Sequence, residues 1–123
     1  MYVQGFVIPV PTGNKDAYRE IARKFWDIVK DYGALSQIEC WEEDIKDGKT
    51  TDFRTAVKAE PGEKIVFSWM TWPDKATADA GHDAIMNDPR MAEQFGNADG
   101  SDMPFDGKRM IFGGFAPLFT GEA

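Results

Sequence analysis

The sequence predicts an α+β fold of the ferredoxin-like βαββαβ kind, a four-stranded antiparallel sheet with both helices on one face. Three observations point there. The hydrophobic pattern changes along the chain in the order strand, helix, strand, strand, helix, strand. Turn and stop signals at Gly33, Asp47-Gly48, Pro61-Gly62 and Pro73-Asp74 separate those segments. At 123 residues, 42% hydrophobic and 28% charged, the chain has the makings of one core, so residues 1–123 are expected to form a single domain. Right-handed crossovers leave few other topologies.

Residues 2–10 are dense in β-branched and aromatic side chains, and Pro9, Pro11 and Gly13 close them off as a first strand. From Asn14 the period lengthens: Tyr18, Ile21, Phe25, Ile28 and Tyr32 recur every three or four residues. Arg19, Glu20, Arg23, Lys24, Asp27 and Lys30 fall between them. That is an amphipathic helix, stopped at Gly33. Residues 35–43, with Ile38, Cys40 and Trp41 among acids, read as strand two, on which Glu39 and Glu43 share a face with Trp41. Residues 50–62 admit a short strand, a helical turn or an irregular excursion.

Residues 65–72 are strand three, and Pro73-Asp74 opens a second helix over 75–87. Its apolar positions are mostly alanines plus Ile85 and Met86. Asp88-Pro89 ends it, and residues 90–95 form a further helical turn. The polar residues 96–102 are expected to be mobile. A tight turn over 104–107 then leads into a last strand over 110–119, in which Gly113-Gly114 permits close packing or a bulge. Lys108 and Arg109 stand where that strand emerges, placed to pair with acids of strand two.

The strands are apolar on both faces. Tyr2, Phe6 and Ile8 alternate with Val3 and Val7; Ile65, Phe67 and Trp69 alternate with Val66, Met70 and Trp72. In the last strand Met110, Phe112 and Leu118 alternate with Ile111, Phe115 and Phe119. Two helices cover one face, which leaves the other to a partner or to water. A second copy packed face to face resolves this, so a homodimer through the sheet face is expected, the dimeric α+β-barrel architecture. The alternative is a monomer with a large exposed ligand groove.

Fourteen basic against twenty-one acidic residues give a net charge of −7, which repels phosphate backbones, and no nucleic-acid partner is expected. No apolar run approaches the ~20 residues that span a bilayer, and no basic region precedes the first apolar run as in a signal peptide. The single cysteine, Cys40, excludes an internal disulfide and suits a reducing cytoplasm. One histidine, one cysteine and scattered carboxylates show no metal-ligand spacing, and no phosphate or dinucleotide fingerprint implies a cofactor.

Candidate chemistry is sparse. His82, the sole histidine, and Glu39 are the candidate proton carriers. Trp41 and Trp69 are candidate walls for a flat apolar ligand between sheet and helices, and Lys108 with Arg109 are candidate ligand-binding cations.

Four segments together carry a resemblance. DGKTTDFRTAVKAE at 47–60, IVFSWMTWPDK at 65–75, NDPRM at 87–91 and MPFDGKRMIFGGF at 103–115 resemble the YbaA-like small bacterial proteins of the DUF1428 family. The resemblance implies the dimeric α+β-barrel fold. It implies no established activity and transfers no catalytic residues. Fold-level relatives include cofactor-independent monooxygenases and isomerases. Two functions follow as expectations: a homodimer binding a small hydrophobic or aromatic molecule, or a small cofactor-independent enzyme acting in the same cavity.

Overall fold

The computed structural model describes residues 1–96 and 103–123. Strand β1 (Tyr2–Pro11) passes through a 3-10 turn, Thr12–Asn14, into helix α1 (Lys15–Val29), which tightens over Lys30–Tyr32 and stops at Gly33, φ 106°. Only a residue free of a Cβ adopts that left-handed turn readily. Strand β2 (Ser36–Trp41) follows, then the short helix α2 (Phe53–Ala56), strand β3 (Glu63–Trp72), helices α3 (Lys75–Met86) and α4 (Pro89–Phe95), and strand β4 (Ile111–Phe115). The sheet order is β2-β3-β1-β4, antiparallel throughout. This is the expected ferredoxin-like plait.

The segment left open over 50–62 is helical because Asp52 caps it. Its carboxylate accepts from the Thr55 amide while the Thr55 hydroxyl accepts from the Asp52 amide, a reciprocal capping box. Asp74 and Asp88 cap α3 and α4 in the same role. The last strand ends sooner than expected, at Phe115. Its ladder partner β1 begins at Tyr2, with Val3 opposite Phe115, and Pro117 has no amide to extend the pairing. The turn before it is Asp106–Arg109 rather than 104–107, closed by the Arg109 amide on the Asp106 carbonyl and by the Lys108 amide on the Asp106 carboxylate. Of the stretch 96–102 expected to be mobile, residues 97–102 lie outside the described residues.

Register decides which apolar set meets the helices. Ile8 and Val10 of β1, and Val66, Ser68, Met70 and Trp72 of β3, face α1 and α3 and are buried. The opposite face carries Val3 and Val7, Ile38, Phe67 and Trp69, and Ile111 and Phe115. Phe67, Ile38, Ile111 and Phe115 are 44–61% exposed there. Helix α2 covers one end of this face, with Phe53 edge-on to Phe67 at 6.0 Å. The glycine pair introduces no bulge. A Cβ at Gly114 would run into the Tyr2 ring, and one at Gly113 would lie 3.5 Å from the Phe115 ring, so both glycines admit aromatic side chains.

The core between helices and sheet is in two parts. Ile28, Val29, Met70, Trp72, Ala78 and Ile85 pack at one end; Ile8, Val10, Tyr18 and Val66 pack at the other. A cavity lies between them.

Candidate functional site

That cavity measures about 490 Å³. Helix α1 supplies Tyr18, Ala22 and Phe25, which stand one above another because their spacing of four and three residues follows the helical turn. Strands β1 and β3 supply Phe6, Ile8, Ser68 and Met70, and β2 supplies Gln37 and Glu39, all on the helix-facing side by alternation. Helix α4 and the segment leading to β4 close the far wall with Met91, Phe95, Met103, Phe105 and Met110. Five of the six methionines in the chain line this space, Met86 being the fifth. Unbranched thioethers beside aromatic rings make an adaptable apolar wall.

One polar cluster interrupts it. The Tyr18 hydroxyl donates to Glu39 Oε1, and Gln37 Nε2 lies 3.5 Å from Glu39 Oε2 and donates to the Ala22 carbonyl at 3.1 Å. Ser68 stands directly opposite Glu39 on β3. Gln37 Oε1 is buried without a partner. Burial pushes the Glu39 carboxyl above its ordinary range, and its polar neighbours Tyr18, Ser68 and Gln37 offset this only in part. Burial, and then the neighbouring Glu39 charge, push the Tyr18 phenol far up, so it serves as a fixed donor. Tyr18, Ala22, Gln37 and Glu39 also border a second, outer groove of about 360 Å³. Lys15, Arg19, Arg23, Trp26 and Trp41 line that groove, with Lys15 Nζ 5.5 Å over the Trp41 ring.

The structure therefore joins Glu39 and Trp41 on one side of the sheet and separates the other candidates from them. Trp69 points to the open face, paired with Ile38 and Gly5 and packed 5.6 Å from Phe67; it walls no space between sheet and helices. His82 is exposed on α3, outside the cavity lining. Its Nε2 lies 2.8 Å from Gln4 Nε2, and the Gln4 oxygen already accepts from the Trp72 indole at 2.8 Å. Gln4 must therefore donate to His82, which fixes the imidazole proton on Nδ1.

Arg109 is engaged elsewhere, against expectation. It makes two bonds of 2.7 Å to Glu63 of β3 and one of 3.0 Å to Asp106, not to acids of strand two. Lys108 is exposed and makes no ion pair among the described residues. Glu43 lies beyond β2 and does not join Glu39; Glu42 instead is buried beneath Arg54 and Lys64 and accepts from the Ile65 amide. Sequence reasoning missed Tyr18 as a polar group, Gln37, Ser68 and the methionines. The available signal was Gln37 and Glu39 two apart on a strand whose helix-facing side had to be one of two.

The four-stranded plait with helices packed on its face is shared with solved structures of low sequence identity. An uncharacterized NIPSNAP domain protein from Burkholderia xenovorans superposes with a TM-score of 0.59 at 14% identity, covering 99% of this chain and 100% of that one. The protein Atu4242 from Agrobacterium tumefaciens gives 0.57 at 13% identity, covering 95% and 93%. These define the fold class. Sequence then defines the family: residues 1–107 match the family described as "Protein of unknown function (DUF1428)", and the chain belongs to it. The uncharacterized protein YbaA of Escherichia coli K12 is 55% identical over 117 residues, 95% of this chain and 96% of that protein. YbaA of Shigella flexneri matches to the same extent.

Proposed function

We propose that the protein binds a small hydrophobic or aromatic molecule in the chamber between sheet and helices, and does so as a homodimer joined through the open sheet face. The observation that carries the first part is the chamber itself. At about 490 Å³ it is within the size range of ligand pockets, its wall is methionine and aromatic, and its polar groups gather at one point. The exposed apolar row across β2, β3, β1 and β4 supports the second part, since a soluble monomer rarely leaves such a patch uncovered.

Titration with 1-naphthol, followed by thermal shift and calorimetry, tests the binding. Saturable stabilisation that disappears on filling the chamber with Ala22→Phe is the expected result. Undiminished binding in that variant would place the ligand elsewhere.

The enzyme reading has one specific observation in its favour. Glu39 is a carboxyl raised by burial in an apolar chamber, the environment that suits a general acid or base. In that reading Glu39 takes a proton from the bound molecule, Tyr18 holds the carboxyl in place, and His82 has no part. Turnover of a chamber ligand, abolished by Glu39→Gln with binding retained, would decide for it.

A further inference from the structure

Among the described residues, the acids wholly or partly withdrawn from water fall into two kinds. Glu42, Glu63 and Asp88 have side chains only 7–8% exposed, and each lies against an arginine: Arg54, Arg109 and Arg90 in turn. A carboxylate withdrawn from water is kept charged by such a partner. Glu39 has none. No lysine, arginine or histidine of the described residues forms an ion pair with it, and all fourteen basic residues of the chain are among those described. Residues 97–102 read NADGSD and contribute no cation. Its contacts are the neutral Tyr18, Gln37 and Ser68.

The surroundings sharpen the contrast. Along the described chamber wall Glu39 is the one acidic or basic side chain; the rest is aromatic ring, thioether, aliphatic carbon and neutral polar groups. The faces of Phe6, Phe25, Phe95 and Phe105 carry the negative side of the ring quadrupole, which favours a cation over an anion. The cations nearest in the fold lie on the outer groove and are already occupied. Arg19 pairs with Asp16, Arg23 with Glu20 and Asp27, and Lys15 sits over Trp41. The net charge of −7 adds a long-range field of the same sign.

We propose that the chamber is selective for a lipophilic amine, a molecule with an apolar aromatic body and one protonated nitrogen, and that Glu39 is the counter-ion it pairs with. This rests on the binding reading above and narrows its ligand class. Tyr18 holds the carboxylate in place for the incoming ammonium, and the phenylalanine and methionine walls take the body.

The experiment compares three probes of one shape on the full chain by calorimetry: 1-naphthylmethylamine, 1-naphthylmethanol and 1-naphthoate. The expected order is amine tighter than alcohol by tenfold or more, with naphthoate weakest. Lowering the pH toward the acid range weakens the amine alone, as Glu39 takes up its proton, and Glu39→Gln equalises amine and alcohol. The wild-type comparison stands even where that variant folds poorly. Equal affinity for amine and alcohol overturns the amine assignment and leaves the binding reading intact. Tightest binding of naphthoate overturns it in favour of Lys15, Arg19 and Arg23 on the outer groove. Failure of all three to bind overturns both readings together.

Discussion

At the scale of single residues, the buried carboxyls pull stability in opposite directions with pH. Arg109, then the Glu60 amide, lower the Glu63 carboxyl below its ordinary 4.5, so its contribution is present above that value and is lost as pH falls through the lowered one. Glu39 is the reverse. Its raised carboxyl makes the folded state hold a proton the unfolded chain gives up, so that contribution is present below 4.5 and is lost as pH rises through the raised value. Glu39→Gln is therefore expected to raise stability at pH 7 and to flatten the decline above pH 4.5, read by urea melts across pH. Arg109→Ala leaves Glu63 buried and unpaired and is expected to cost about 3 kcal/mol, whereas the exposed Lys108→Ala changes little. Gly114 gives a purely steric case. Gly114→Ala drives a methyl into the Tyr2 ring and is expected to cost roughly 1–3 kcal/mol, relieved when Tyr2→Ala is added; Gly107→Ala meets nothing within 4 Å and serves as the control.

At the scale of elements, legibility followed how local each cause is. Helix α1 was readable because its stripe, its charges and Gly33 all lie within its own residues. The end of β4 was not, because it is set by where β1 starts, a hundred residues away in sequence. Alternation told which side chains of a strand share a face, but not which face the helices cover. That is why Trp41 and Trp69 were grouped although the ladder puts them on opposite sides. The wall formed by α4 was equally hidden, since its hold on α1 is a tertiary clamp. Asp88 caps the helix, accepts from Tyr32 at 2.6 Å and grips Arg90, which reaches Asp31 at 3.0 Å. Asp88→Ala removes cap and clamp together. Amides of Met91–Phe95 are expected to exchange faster by tenfold or more, and 1-naphthol to bind several-fold more weakly, while β1 and β3 keep their protection. Uniform loss of protection across the sheet would show that α4 is part of the core rather than a wall built on it.

At the scale of the whole molecule, the accessible surface is larger than its mass requires. The chain exposes 8123 Å² at 13.8 kDa. The usual relation for monomers of that mass gives roughly 6,600 Å², and apolar side chains of the open sheet face, Ile38, Phe67, Ile111 and Phe115, are among those left exposed. Face-to-face association of two copies removes on the order of 800 Å² from each in a standard interface, which would bring each chain back toward the monomer relation. The chamber lies on the other side of the sheet, so assembly and ligand binding are separable by mutation. Phe67→Lys combined with Ile111→Lys places charge in the middle of the open face without touching the chamber wall. Sedimentation velocity at micromolar concentration is expected to give twice 13.8 kDa for the unaltered protein and 13.8 kDa for the double variant, with 1-naphthol affinity unchanged. An unaltered protein that sediments as a single chain would remove the dimer and leave the open face in need of another partner. Loss of naphthol binding in the double variant would instead mean that the second copy shapes the chamber through the sheet.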